Sequence, residues 1–576
     1  MSDLNIARRT VHEIFSSPRI KFLIPDYQRP YSWTLEHCET LWEDFKEFAF
    51  PNGDAESFDA GKDNYFLGTI LTFNNDCEEN EVVDGQQRLI TLLLLLRAFY
   101  EAFGDIKSRT RDRIAECIWK IGNDDNPDLS GCKITSEVAD DENSDSFKKI
   151  ISEGVTDKKD KSNYAENYRY FKKKIDEFKF FTPDFFSIFP KRILDNCILL
   201  PIETNSQNTA LRIFTTLNDR GMPLSDSDIF KAQLYKFYKA KGKVEKENFI
   251  ARWKELERLC NKNFRPRTGT PMDDLFMRYM YYLLARQGTK NDTFKGLRPY
   301  YEQNNYAVLH DEKTFEDLIL LTNFWDDVNK RNDERFSERV LKRLYVLKYS
   351  PNNIWSYVVS LYFMGNRDEN NRLDDERFYI FLNKITAMLL MHAIVNPGVQ
   401  SIRRPFFLEF ANILNDRELK FNQFIQNKNV VLEKMRDIKF SNTKGITRTM
   451  LAWWTFNDDA QELPPLDTKL EIEHIYAVKR HEFSPLADES HLELLGNKAL
   501  LEKRINIRAS DYRFEDKAKY YLGYTKGKQK IAGTMIRELL TLAKTQKDFT
   551  EDDILIRNDI IFDAFIEFLD KNNLLR

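Results

Sequence analysis

Apolar positions along the 576-residue chain form runs of two periods. Residues 65–73 are aromatic and β-branched at close spacing and predict a strand. Residues 74–80 read as a turn, and 81–83 pair back to make a hairpin. From Leu89 to Leu96 the run is unbroken, predicting a helix that continues to about Phe103 and is too short to cross a bilayer. A short helix over 10–15 leads into a loop at 24–33. Thr34 then caps a helix running to Asp44, with Leu35, Leu41 and Trp42 inward. Tyr164, Tyr168 and Phe171 share one side of a helix over 164–180, and 197–201 is a buried strand. Residues 210–225 read as an amphipathic helix stopped by Gly221, a Pro turn, and a new helix capped at Ser225. From 233 to 442, Phe276, Tyr279, Met280 and Leu283, then Phe378, Phe381, Ile385 and Leu389, repeat at helical spacing, as core stripes do. Beyond them, 470–475 alternates as a strand and 494–501 reads as a second strand. The stretch 554–569 is an amphipathic closing helix. The polar, acid-rich stretches 123–130 and 140–161 read as loops.

Composition narrows the class. With 20 Gly, 13% aromatic and 31% charged residues, the chain reads as an α+β, predominantly helical protein. Its length allows two to four domains. The formal net charge of −4 excludes a global basic field, so any nucleic-acid site must be a local patch. The six Cys form no CxxC pair and read as reduced thiols. The first ten residues lack a signal-peptide core, and no stretch of 18 apolar residues occurs, so the expectation is cytoplasmic, with no membrane.

Two stretches carry candidate chemistry at the N-terminal end. Asp84, Gly85, Gln86, Gln87 and Arg88 form a strand-turn-helix junction, where polar side chains and free helix-start N–H groups suit an anion such as a phosphate. The alternative is a capped core helix with a solvated Arg. The segment Ile24-Pro25-Asp26-Tyr27-Gln28-Arg29-Pro30-Tyr31-Ser32-Trp33 cannot be a regular helix and offers flat rings and donors. Together these segments resemble the amino-terminal domain of the GmrSD-like modification-dependent restriction endonucleases. The pattern Asn218, Gly221, Leu224, Ser225, Asp228, Lys231 matches the close of that same domain. The resemblance implies a ParB-like α/β nucleotide-binding domain over 1–235. Tyr27, Gln28, Arg29, Asp84, Gly85, Gln86, Gln87, Arg88, Asn218, Asp228 and Lys231 are its expected nucleotide residues. Tyr27, Tyr31 and Trp33 are candidate walls for a base or for the nucleotide.

A second constellation lies in 442–576, beyond a helical bridge at 236–441. Glu473 and His474 end a strand, Asn497 begins the next, and Asn506 sits on a helix. A neutral His can take a proton from water, and Glu and Asn oxygens suit Mg²⁺ or Mn²⁺. Glu473, His474, Ile475, Gly496, Asn497, Leu500, Leu501, Asn506, Phe514 and Lys517 resemble the HNH (ββα-metal) nuclease domain that accompanies the first domain; the family's Pro after the His is Ala477 here. The expected roles are His474, Asn497 and Asn506 in catalysis, and Glu473 and Asn506 on the metal. His481 and His491 read as surface-loop residues, the alternative being that one of them replaces the neutral Asn506 on the metal. Residues 498–530 hold ten Lys/Arg against four Asp/Glu, so Lys498, Lys503, Arg504, Arg508 and Lys517 are expected to bind DNA phosphates.

The resemblance therefore implies NTP-dependent cleavage of modified phage DNA, using GTP, ATP or another NTP, in a homo-oligomer or with partner proteins of a defence system. Two other readings stand beside it: a non-cleaving, NTP-controlled DNA-binding protein, and an RNA-directed HNH nuclease.

Overall fold

The protein is described by a computed structural model that covers every residue except 1–3, 18–20, 26–27, 29, 75–78, 122–126, 139–143, 205–208, 211–212, 214–224, 267–268, 290–295, 399–400, 511–512 and 528. The chain divides into two compact units, Met1–Lys254 and Glu255–Arg576.

The first unit is built on a mixed sheet. Its strands run in the order Leu4–Ile6, Cys197–Thr204, Tyr65–Asn74, Asn80–Asp84, Phe22–Ile24 and Ile134–Ser136, and Arg9–Thr10 also pairs with Cys197–Thr204. The Tyr65–Asn74 and Asn80–Asp84 strands form the expected antiparallel hairpin, while Tyr65–Asn74 runs parallel to Cys197–Thr204. Alternate strand residues feed two cores. Leu67 and Ile70 join the larger one with the Gln86–Phe103 helix, and Leu71, Phe73, Val83 and Ile202 form a smaller one with Ala210. The unbroken apolar run makes sense in this setting, because Leu89 and Leu92 to Leu96 are all fully buried. Neighbours surround the Gln86–Phe103 helix: Asn163–Phe181 and Arg109–Ile118 pack on it.

One reading of the loops needs correction. The acid-rich stretch 140–161 contains the helix Ser144–Glu153, because Phe147, Ile150 and Ile151 repeat at helical spacing and are buried. Likewise Pro127–Cys132 is a strand paired with Trp119–Ile121.

The second unit joins the helical middle to the C-terminal elements. Asp375–Val395 packs on Gly445–Phe456 and Glu551–Lys571, and the Trp453 ring lies 5.2 Å from Phe565 and 5.4 Å from Phe568. Asp375–Val395 is long and apolar enough to cross a membrane by length and composition. However, 72% of its apolar window is buried, as in a core helix. The two-stranded hairpin Leu470–His474/Lys498–Glu502 is followed by the helices Lys503–Ala509 and Phe514–Leu522.

Candidate functional site

The first site grows from the end of a strand. Asp84 closes Asn80–Asp84, and Gly85 turns the chain at φ 91 into the Gln86–Phe103 helix. A Cβ at Gly85 would meet the Thr69 carbonyl oxygen at 3.2 Å and Ile70 at 3.3 Å, so both the dihedral and the space require glycine. With glycine at the cap position, this helix start has no side-chain cap.

The glutamines expected to face a ligand instead hold the aromatic loop. Gln87 is buried; its Oε1 accepts the backbone N–H of Ser32 at 2.7 Å and of Trp33 at 3.2 Å, while its Nε2 donates to the Pro30 carbonyl at 3.2 Å. Gln28 Nε2 donates to the carbonyls of Val82 (3.4 Å) and Val83 (3.3 Å). Gln86 is buried too. Tyr31 is not a pocket wall: it is buried, stacked on Tyr164 at 4.7 Å, and shares a hydrogen bond with Thr91 at 2.7 Å. Burial raises its pKa.

Arg88 has the outlook that the glutamines lack. Its Nη1 donates to the Thr69 carbonyl at 2.7 Å, and Gly68, at φ 117, leaves room for the guanidinium. Arg88 and Trp33 line a cavity of about 440 Å³ together with His37, Tyr65, Glu36 and Asp44. That volume lies in the range of small-ligand sites. Burial lowers the Arg88 pKa and Asp84 opposes the shift. Asp228 accepts from the N–H and hydroxyl of Ser225 and so caps its own helix, Asp226–Lys241. Lys231 is buried on that helix, with Nζ 5.8 Å from the Trp253 ring centroid. Tyr27, Arg29 and Asn218 lie outside the described residues.

The second site is set by strand alternation. Glu473 pairs in register with Ala499, and His474 with Lys498. Successive side chains leave a strand on opposite faces, so Glu471 and Glu473 share one face and His474 takes the other. Glu473 is buried and accepts from Lys517 Nζ and the Tyr521 hydroxyl, both at 2.7 Å. Lys517 also donates to the His474 carbonyl at 2.6 Å. Asn506 donates to Glu471 at 3.3 Å, and Lys503 Nζ lies 3.4 Å from the same carboxylate.

A divalent ion does not fit where it was expected. The Glu473 carboxylate is engaged by an ammonium and a phenol, and Asn506 is bonded to Glu471. Among the described residues no group of three or more His, Cys, Asp and Glu is placed to hold a metal. The basic patch also needs correction: Lys498 and Lys517 are buried and paired, not surface groups. Lys503 and Arg504 are exposed and Arg508 is half-buried.

His474 ends the strand with its side chain 16% exposed. Burial and the neighbouring Lys498 push its pKa down to about 4, against the pull of Glu493. Its Nε2 lies 3.0 Å from Lys498 Nζ. An ammonium has no lone pair, so Nε2 is the acceptor and the proton of the neutral ring sits on Nδ1. Asn497 holds the following turn: its Oδ1 accepts from Tyr476 N at 2.7 Å, and its Nδ2 donates to the Tyr476 and Leu492 carbonyls. Ala477, where the family has Pro, leads directly into a short helix, Val478–Phe483, which carries His481. His491 pairs with Glu551 at 2.6 Å.

Sequence reasoning missed three residues that complete this site: Arg557, Glu493 and Asn442, whose Oδ1 accepts from Lys498 Nζ at 2.7 Å. Arg557, on the closing helix, donates to the carbonyls of Leu495, Gly496 and Lys498 at 2.8–2.9 Å. Glu493 accepts from Lys498 at 3.1 Å. The closing helix lies so near Gly496 that a Cβ there would collide with the Ile554 carbonyl.

Comparison with known families covers both ends of the chain. Residues 11–235 match the family model described as GmrSD restriction endonuclease, N-terminal domain. Residues 425–564 match that described as GmrSD restriction endonucleases, C-terminal domain. No curated protein matches the chain.

Proposed function

We propose, on the premise that the chain belongs to the GmrSD restriction endonucleases and acts on DNA as a hydrolase, that its first unit binds a nucleoside triphosphate which controls cleavage of modified phage DNA at His474. The observation that carries the cleavage reading is the neutral imidazole of His474, held at a strand end with its Nε2 lone pair beside an ammonium. A base at this position takes a proton from water as the phosphodiester is attacked, once water replaces the Lys498 N–H at Nε2. Lys498 keeps Glu493 and Asn442 as partners when that happens.

The nucleotide reading rests on Arg88 beside an uncapped helix start and a cavity lined by Trp33. Phosphate oxygens suit the guanidinium and the positive end of a helix. The test is incubation of the full chain with phage DNAs carrying different base modifications, with and without each NTP. Cleavage of one modified DNA that rises with an NTP supports the reading. Equal cutting of modified and unmodified DNA, or no response to any NTP, contradicts it.

A further inference from the structure

Three acceptors from three separate segments converge on one point beside the hairpin. His474 Nε2 lies 3.0 Å, Glu493 Oε2 3.1 Å and Asn442 Oδ1 2.7 Å from that point. An imidazole nitrogen, a carboxylate oxygen and an amide oxygen make a mixed set that a divalent cation can accept. The point is not open: Lys498 Nζ occupies it, on a side chain with 0% exposure. An ammonium has three N–H donors, and here each has one acceptor.

The buried ammonium has a counter-charge beside it. Glu493 offsets the ammonium, and His474 is neutral. A divalent ion at this point would have to displace a buried ammonium and leave it without partners, a costly arrangement for a buried charge. Lys498 cannot leave by diffusion, because its backbone is fixed in register opposite His474. Its carbonyl is held from behind by Arg557 at 2.8 Å. Asn442 is exposed and forms the solvent side of the cluster.

We infer that Lys498 is the resident cation of the His474 centre, standing where a divalent ion would otherwise bind and excluding one from it. Lys498 is a positioning residue in this account: it donates to Nε2 of His474, which keeps the lone pair on that nitrogen, and it places an ammonium beside the ring. The inference rests on the nuclease reading only for the reaction that the charge serves.

The test is Mn²⁺ binding by the full chain without DNA or nucleotide, followed by electron paramagnetic resonance. Wild type and Glu493→Gln are expected to bind the same number of ions. Lys498→Met, of similar length and no charge, is expected to gain one Mn²⁺ with imidazole-nitrogen coupling, lost again in Lys498→Met/Glu493→Gln. A wild-type Mn²⁺ site that Glu493→Gln removes would overturn the inference, and so would a folded Lys498→Met that gains none. Should Lys498→Met fail to fold, the comparison of wild type with Glu493→Gln still decides. A chain that cuts no DNA leaves these binding results unchanged, so failure of the nuclease reading is separately visible.

Discussion

Gln87 and Ser32 are 55 residues apart in sequence, and the side-chain oxygen of Gln87 accepts the Ser32 backbone N–H at 2.7 Å. Through that bond, with those to Trp33 and Pro30, the helix start sets the position of the aromatic loop. Gln87→Ala strands two backbone donors and should cost about 1–3 kcal/mol in urea unfolding of the first unit. Gln87→Glu keeps the acceptor but loses the donor to Pro30 and buries a carboxylate against that carbonyl, so it should not restore full stability. Equal stability of all three proteins would mean that the loop holds itself.

Arg88→Ala should leave the fold intact and weaken nucleotide binding about ten- to a hundredfold, the worth of a charge-assisted bond to phosphate. Gly68→Ala should weaken binding in the same direction, because a Cβ would lie 2.9 Å from the Arg88 guanidinium. Calorimetric titration with each NTP reads both. Unchanged affinity in Arg88→Ala would remove the nucleotide from this turn.

Much of the first unit was legible because period and turn chemistry agree there. The hairpin, the Gly85 turn and the Gln86–Phe103 helix follow from residues close in sequence. The roles of Gln28 and Gln87 were not legible, since an amide that grips a backbone 54 or 55 residues away looks the same in sequence as one that awaits a ligand. In the second unit, the alternation of 470–475 suggests opposite faces for Glu473 and His474 only if the strand neither twists nor ends there, and the paired strand keeps them opposite. What the spacing could not show is that Lys517 arrives to pair with Glu473, or that Glu493 and Asn442 come from separate segments to surround Lys498. Nor did it show that helices of the middle region bury the closing helix, so the second unit is continuous from Glu255.

Arg557→Ala should destabilise the second unit by roughly 2–4 kcal/mol, less than the loss of a fully buried ion pair because Glu538 is partly exposed. It leaves Glu538 without its bidentate partner and takes the guanidinium donor away from the carbonyls of Leu495, Gly496 and Lys498. Arg557→Lys keeps the charge but not the fork, and should recover only part of the loss. Thermal unfolding of the full chain, resolved by unit, makes the comparison. Wild-type stability in Arg557→Ala would show that the closing helix does not brace the strand.

Salt dependence separates the exposed cations from the buried ones. Replacing Lys503 and Arg504 together by Ala should flatten the log–log slope of DNA affinity against salt by roughly 1.8, about 0.9 for each phosphate no longer neutralised. Measurement of affinity across a salt series tests this. An unchanged slope would mean that these side chains face solvent even in the complex.

The most direct test concerns His474. Single-turnover cleavage of a modified DNA that the wild type cuts, in the presence of its NTP, should slow by on the order of 10²–10⁴ in His474→Ala, as expected for loss of a general base. DNA affinity should stay at its wild-type value, and the second unit should stay folded with a lower unfolding midpoint, because Lys498 loses one of its three acceptors. A His474→Ala rate within about threefold of wild type, far less than a general base supplies, would contradict the assignment of DNA hydrolysis to this centre.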